Sequence, residues 1–337
     1  MKVLQDFDRP AHQSFYGVAG RLLFIESHNS RLAKLIGSLF DGWLLTPLQP
    51  TPQRPEVTVR FYHAEVLPEI PGGLDRFEIA DGGQCFTDGE SYYLALTNSL
   101  ILVQQRSEVV VTLWTTDLPA IPNAELARAT SFAVCSGLRR LGLFDFHSAG
   151  VVCPSGENGV LIVGRSGSGK STLTLQLVSS GWRYLSDDEL LLSVANNEVE
   201  ARGFRKFFAV SSATAAACES LHRQVHSRSD DSLKICFDPA TLFPFTSAEM
   251  VAPRWLVFTE ITGGNESRLS ELTQTEAMIR LIRACPWATY DRAIAGPNLN
   301  LLSLLARQTR SLELKAGSDL LEASRASDLL GSYVERN

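Results

Sequence analysis

Residues 164–171 read Gly-Arg-Ser-Gly-Ser-Gly-Lys-Ser, which is the spacing of a phosphate-binding loop, G-x-x-x-x-G-K-[ST]. Glycines let successive backbone N–H groups turn toward phosphate oxygens, because no Cβ stands in the way. Lys170 adds a mobile positive charge for the outer phosphates, and the Ser171 hydroxyl is of the type that reaches Mg²⁺. The loop predicts binding of a nucleoside triphosphate, or of a ligand with the same phosphate groups. The residues predicted to contact it are Gly164, Arg165, Ser166, Gly167, Ser168, Gly169, Lys170, Ser171 and Thr172.

The sequence on either side of this loop has the order that the motif requires. Val160–Val163 is a short apolar run typical of a buried strand. Ser171–Ser179 is rich in leucine and predicts a helix, whose positive N-terminus faces a bound anion. Strand, glycine loop and helix together favour a functional loop over a chance match.

Two adjacent carboxylates, Asp187 and Asp188, stand seventeen residues beyond Lys170, after a predicted strand at 182–186. Beside a phosphate site, one carboxylate can hold Mg²⁺ while the other accepts the proton of an attacking hydroxyl. We predict that Asp187 is the base and that Asp188 binds the metal together with Ser171, although the two aspartates could exchange roles. The alternative is a solvated acidic turn, which the neighbouring loop disfavours.

The loop, its helix and the Asp187–Asp188 pair resemble the catalytic domain of HPr kinase/phosphorylase. Two further stretches are similar to that family, His147–Val151 before the loop strand and Glu200–Phe204 after the Asp pair. The resemblance covers about residues 140–260. It implies a core fold like that of phosphoenolpyruvate carboxykinase, with ATP and Mg²⁺ as cofactors and a serine hydroxyl as phosphoryl acceptor.

The resemblance also implies individual roles. His147 would take part in proton transfer or contact a phosphate, and Arg202 would neutralise the transferred phosphoryl group. Thr172 stands where the family has glutamate, which indicates a divergent branch similar to lasso-peptide precursor kinases. We therefore predict an ATP-dependent serine kinase acting on a peptide or protein. A nucleotide-binding regulator without transfer activity, and a small-molecule kinase, remain open alternatives.

Three weaker candidates lie after the Asp pair. Arg205 and Lys206 could add positive charge at the phosphate site, or form a solvated strand edge. Glu200 is a candidate to support the metal ligands. His222 and His226 have a metal-ligand spacing, but no third ligand is near in sequence, so a solvated helical face is favoured.

Composition excludes several classes of protein. The 337 residues are 45% hydrophobic, with a net charge of −6 and no basic run, which argues against a nucleic-acid partner. No apolar run reaches the roughly 18 residues needed to cross a bilayer, and the first ten residues lack a signal sequence. Six scattered cysteines show no C-x-x-C spacing and suit a reducing compartment. We expect a cytoplasmic protein without a membrane partner, which could be a homo-oligomer.

The fold class is predicted to be α/β, with a smaller α+β domain at residues 1–120 and a kinase-like domain at 121–337. The first domain is expected to contain a helix at 31–40 and a meander of hairpins at 57–114. Its sheet edges could present an acceptor peptide, or the domain could only stabilise the core or mediate self-association. A helix at 123–141 would bridge to the second domain. Later, Thr273-x-x-Glu276 predicts a capping box, and Pro297 predicts a helix starting at Asn298.

Overall fold

The computed structural model describes residues 10, 12–79, 83–105, 107–156, 158–221, 234–285 and 291–334. The histidine pair His222 and His226 lies outside these residues. The chain divides into two compact units, Met1–Phe144 with Trp287–Asn298, and Asp145–Pro286 with Leu299–Asn337. Within the described ranges, no helix is both long and apolar enough to cross a membrane.

The first unit is built on a nine-stranded sheet with the order β3-β1-β2-β4-β9-β8-β7-β6-β5. Its strands are β1 His12–Val18, β2 Arg21–Ser27, β3 Thr46–Leu48, β4 Val57–His63, β5 Asp75–Glu78, β6 Gln84–Thr87, β7 Ser91–Ala95, β8 Ser99–Gln105 and β9 Val109–Thr115. Its helices are α1 Ser30–Phe40 and α2 Asn123–Arg140. The helix predicted at 31–40 is thus confirmed, and the Asn29 side chain caps it by accepting from the Leu32 amide.

Helix α2 packs on strands β4, β8 and β9 of the first unit. Leu126, Ala129 and Leu138 are buried in this interface. Gly137 is required there, because a Cβ at that position would meet Val57 Cγ1 at 2.6 Å. The first unit therefore extends to Phe144, beyond the boundary expected at residue 120. The helix belongs to the first unit because its apolar face is buried against that sheet.

The edges of the nine-stranded sheet are strands β3 and β5. Strand β3 contains Pro47, which cannot donate a ladder hydrogen bond, and β5 carries Asp75, Arg76 and Glu78. Proline and charged side chains are the features by which edge strands avoid pairing with another chain. These edges disfavour addition of a peptide strand, the mode of presentation expected from the sequence.

The second unit combines strands and helices. Its strands are β10 Phe144–Phe146, β11 Ser148–Val152, β12 Gly159–Val163, β13 Arg183–Ser186, β14 Leu190–Ala195, β15 Glu198–Gly203, β16 Phe208–Val210, β17 Ile235–Phe237, β18 Met250–Val251, β19 Pro253–Ile261, β20 Arg268–Leu272 and β21 Arg310–Ala316. Its helices are α3 Lys170–Ser179, α4 Ser212–Ala217, α5 Pro239–Leu242, α6 Gln274–Ala284, α7 Arg292–Gln308, whose first turns are counted in the first unit, and α8 Ala323–Val334, with a 3₁₀ turn at Ser318–Leu321.

The central sheet of the second unit has the order β13-β11-β12-β19-β21-β20. Strands β12, β19 and β21 run parallel, whereas β11 is antiparallel to both β12 and β13. Strand β13 consequently runs in the same direction as β12. The carboxyl ends of β13, β12, β19 and β21 and the amino end of β11 meet at one edge of the sheet. The mixed α/β class predicted from the sequence is confirmed.

Two predictions about helix starts have different outcomes. The capping box is confirmed, because the Thr273 hydroxyl accepts from the Glu276 amide and the Glu276 carboxylate accepts from the Thr273 amide. The start predicted at Asn298 is wrong, because α7 begins at Arg292 and contains Pro297 in its interior. The Asp291 carboxylate accepts from the Ala293 amide and starts the helix, and the proline removes one hydrogen bond without ending it.

Candidate active site

The phosphate-binding loop connects the carboxyl end of β12 to α3, at the sheet edge described above. Gly167 and Gly169 have φ angles of 79° and 94°, in the left-handed region that favours glycine. A Cβ on Gly164 would collide with Ser168 Oγ and with Thr259 of β19. The Thr259 hydroxyl lies 3.0 Å from Ser168 Oγ, which ties the loop to the neighbouring strand. Each of the three glycines thus has a conformational or steric reason to be there.

Lys170 is the first residue of α3, and it is buried. Its ammonium donates to the carbonyls of Gly164 at 2.7 Å and Arg165 at 3.2 Å, and it lies 3.1 Å from His147 Nε2. Burial lowers the pKa of Lys170, and the Asp188 carboxylate opposes that shift. In this structure the ammonium is therefore held by the carbonyls of the loop itself.

His147 immediately precedes β11, and its ring joins Lys170 to Asp188. Its Nδ1 lies 3.3 Å from Asp188 Oδ1, and its Nε2 faces the Lys170 ammonium. Burial lowers the pKa of His147, with the Asp188 carboxylate acting in the opposite direction. Because Nε2 can only accept from an ammonium, these partners assign the proton of the neutral ring to Nδ1.

Asp187 is fully buried at the end of β13. Its Oδ2 accepts from the Ala209 amide at 3.0 Å, whereas Oδ1 has no hydrogen-bond partner among the described residues. Burial raises the pKa of Asp187 to about 7, and the Ala209 amide opposes this shift, as does the nearby Ser171 hydroxyl, which is not in hydrogen-bonding geometry with Oδ1. A buried carboxylate oxygen without a partner is costly, and a bound cation would remove that cost.

The chemistry of these groups fits Mg²⁺. Ser171 in the first turn of α3 and the unpartnered Oδ1 of Asp187 are hard oxygen ligands beside a phosphate-binding loop. Asp188, by contrast, has a side chain 51% exposed and is paired with His147. The geometry favours Asp187 as the metal ligand and Asp188 as the base, the reverse of the roles predicted from the sequence.

The remaining predicted residues of the loop fall into two groups. Arg165 and Ser166 are exposed at its tip, in reach of solvent. Thr172 faces the other way, and its hydroxyl lies 2.8 Å from the Thr214 hydroxyl of α4. Thr172 stands where the family that the chain resembles has glutamate. In this structure the Thr172 side chain has a structural partner in Thr214.

Arg202 is not brought to the loop by any contact that the described residues show. It lies on β15, with Nη2 3.6 Å from Glu200 Oε2 and Nη1 3.7 Å from Glu249 Oε1. The other two cations of this segment are also paired with carboxylates, Arg205 with Glu189 at 2.6 Å and Lys206 with Asp238 at 3.2 Å. A cationic cluster directed at the phosphate is therefore not seen in this segment, and Glu200 serves as an ion-pair partner.

Lys234 is a further cation near the groups of this site, and no motif in the sequence indicates it. Its charge acts on Lys170, His147 and Asp187. It directly precedes β17, which pairs with β16, the strand that supplies the Ala209 amide to Asp187. The sequence around Lys234 contains no motif. The pairing of β16 with β17 brings Lys234 close to Asp187.

Comparison with known proteins adds little to this geometry. No family model and no curated protein matches the chain. Among solved structures, the chain is similar to the HPr(Ser) kinase/phosphatase from Coxiella burnetii, with 12% sequence identity and a TM-score of 0.29 over 57% of this chain and 97% of that chain. A TM-score this low does not establish a common fold, so the site is interpreted from its own residues.

Proposed function

We propose that the second unit is a Mg²⁺-dependent phosphotransferase that moves the terminal phosphoryl group of ATP to a serine hydroxyl of a peptide or protein. One observation carries the proposal: two carboxylates of unlike environment flank one phosphate-binding loop. Asp187 is buried with an unpartnered oxygen, whereas Asp188 is half-exposed and paired with His147. Because the two environments differ, we assign metal binding to Asp187 and proton acceptance to Asp188.

The loop supplies the phosphate contacts. Its backbone N–H groups and the N-terminus of α3 bind phosphate oxygens, and Lys170 moves from the Gly164 carbonyl to the outer phosphates. Ser171 and Asp187 would hold Mg²⁺, which neutralises charge on the phosphates when bound. Positioning and electrostatics account for most of the catalysis expected in such a transfer.

Asp188 accepts the proton of the acceptor. The His147 Nδ1–H group faces Oδ1 and orients the carboxylate, which leaves Oδ2 for the incoming hydroxyl. The hydroxyl O–H bond breaks as its proton passes to Asp188, and the oxygen forms a bond to the terminal phosphorus. The bond from that phosphorus to the bridging oxygen breaks, and ADP is released.

Serine as acceptor rests on the sequence resemblance, and the site itself supports transfer to a hydroxyl. The test is transfer of labelled γ-phosphate from ATP to a peptide array in which each peptide has one serine, threonine or tyrosine. We expect label on serine peptides, dependent on Lys170 and Asp188. Nucleotide binding without labelled peptide would support a regulator, and label recovered only in metabolites would support a small-molecule kinase.

A further inference from the structure

A cavity of about 320 Å³ opens beside the phosphate-binding loop within the second unit. One wall is apolar and includes Ile261, Leu314 and Leu320, from the ends of β19 and β21 and from the 3₁₀ turn. The facing wall presents the hydroxyls of Thr172, Ser211 and Thr214, which form a hydrogen-bonded chain with distances of 2.8 and 2.9 Å. An apolar surface opposite a few polar groups is typical of small-molecule sites, whose volumes begin at roughly 300 Å³.

Away from Ser168 and Gly169, which belong to the phosphate-binding loop, the lining disfavours a charged ligand. No described residue that lines the cavity has a charged side chain, so an additional phosphate or carboxylate would lie there without a counter-charge. A flat, neutral group with hydrogen-bonding edges fits the apolar wall and the hydroxyls together. A nucleobase with its ribose has these properties.

The apolar wall of the cavity and the reacting groups lie on opposite sides of β12 in the sheet. Asp187 directly follows β13 and His147 directly precedes β11, whereas the apolar wall of the cavity comes from β19, β21 and the 3₁₀ turn. Strand β12, from which the loop rises, lies between these two pairs in the sheet. A phosphate chain crossing the loop from the cavity would bring its terminal group to Asp188.

We propose that this cavity binds the nucleoside of the phosphoryl donor and so fixes the direction in which the phosphates cross the loop. The inference rests on the proposed function, and it adds the location of the nucleoside and the side from which the acceptor enters. The acceptor hydroxyl approaches from the β11–β13 side, because the nucleoside occupies the β19–β21 side.

Two alanines on opposite walls allow a test. Ala316 is the last residue of β21 and pairs with Ile261, and Ala213 is an exposed residue of α4. Ala316→Leu and Ala213→Leu each fill the cavity without altering the loop. The control is Ala195→Leu, the same change at the end of β14, which does not line the cavity. Calorimetric titration of the full chain with Mg-ADP and with Mg-tripolyphosphate separates nucleoside binding from phosphate binding.

We expect either cavity variant to weaken Mg-ADP binding by about tenfold or more, while tripolyphosphate binding stays within about twofold of the wild type. Should Ala316→Leu fail to fold, Ala213→Leu gives the same comparison from the other wall. Equal affinities for ADP in wild type and Ala213→Leu would overturn the nucleoside site and leave the phosphate site standing. A wild-type protein that binds neither ligand would overturn the proposed function as well.

Discussion

The ammonium of Lys170 and the Nε2 atom of His147 lie 3.1 Å apart, although the residues are 23 positions apart in sequence. They meet because β11 starts and β12 ends at the same edge of the sheet, with Ser148 opposite Val163. The histidine and the loop carbonyls hold the lysine in place before any phosphate arrives. The lysine of the glycine loop and the imidazole that contacts Asp188 are thus connected directly.

Replacing Lys170 should separate nucleotide binding from folding. Lys170→Ala removes the ammonium that donates to the loop carbonyls of Gly164 and Arg165 and that we propose binds the outer phosphates. We expect weaker Mg-ATP binding and a loss of transfer of about 10²-fold or more, with an unchanged circular dichroism spectrum. Lys315→Ala, at an exposed position of β21, is the control and should behave as wild type. Unaltered binding and transfer in Lys170→Ala would contradict the assignment of the loop.

Asp188 and His147 should act as one unit. Asp188→Asn keeps the size of the side chain but removes the proton acceptor, so Mg-ATP should bind within a few-fold of wild type while transfer falls by about 10²-fold. His147→Gln should also slow transfer, and the double variant should be little slower than Asp188→Asn alone, because both changes disable the same step. Phosphoryl transfer and Mg-ATP binding are measured on the same preparation of each variant and compared with the wild type. Multiplicative losses in the double variant would mean that the two residues act independently.

The sequence predicted the loop, its strand and its helix because a glycine pattern and a run of apolar residues encode local structure. It also located His147, Asp187 and Asp188, although their contacts depend on sheet order. What the sequence left open was which aspartate is buried. Burial of Asp187 follows from the pairing of β16 with β17 and from the Ala209 amide, and neither has a local signal.

Two predictions about helices differ from the structure. Helix α2 was predicted to bridge to the second domain, but Gly137 allows it to pack closely on β4, which places it in the first unit. Pro297 is a helix-start signal, but the carboxylate of Asp291 starts α7 earlier. A tertiary contact decided the first outcome, whereas the second was decided by a local capping contact between residues two positions apart.

Metal binding should depend on pH through Asp187. Its pKa is raised to about 7 by burial in the metal-free protein, and Mg²⁺ binds the ionised carboxylate. Lowering the pH from 8 to 6 should therefore weaken Mg²⁺ binding by about tenfold, as the carboxylate becomes protonated. Titration of Mg²⁺ at fixed ADP across this range measures the effect. An affinity that does not change between pH 6 and pH 8 would exclude Asp187 as the ligand.

The raised pKa of Asp187 also predicts how the stability of the metal-free protein depends on pH. A carboxyl whose folded pKa lies above its unfolded value of 3.8 binds more protons when folded, so stability falls as pH rises from about 4 to about 7. Asp187→Asn, which cannot ionise, should raise the free energy of unfolding at pH 8 by on the order of 2 to 4 kcal/mol and flatten its pH dependence. Urea unfolding at pH 5 and pH 8 tests this. A variant less stable than wild type at pH 8 would contradict a buried, ionised Asp187 whose Oδ1 has no partner.

Replacing Arg202 tests whether it neutralises the phosphoryl group, as the resemblance implies, or only forms the surface ion pairs seen in the structure. Its guanidinium lies 3.6 and 3.7 Å from Glu200 and Glu249, and the Glu249 side chain is 93% exposed. Ion pairs of this kind contribute roughly 0–1 kcal/mol, and none of the described contacts connects Arg202 to the loop. Arg202→Met should therefore leave transfer within about threefold of wild type, like the control Arg254→Met on β19, whose arginine is also paired with an exposed glutamate. Initial rates at saturating ATP provide the measurement. If Arg202→Met instead loses transfer by about 10²-fold with ATP binding intact, the arginine moves to the phosphoryl group during the reaction, and the role implied by the resemblance is correct.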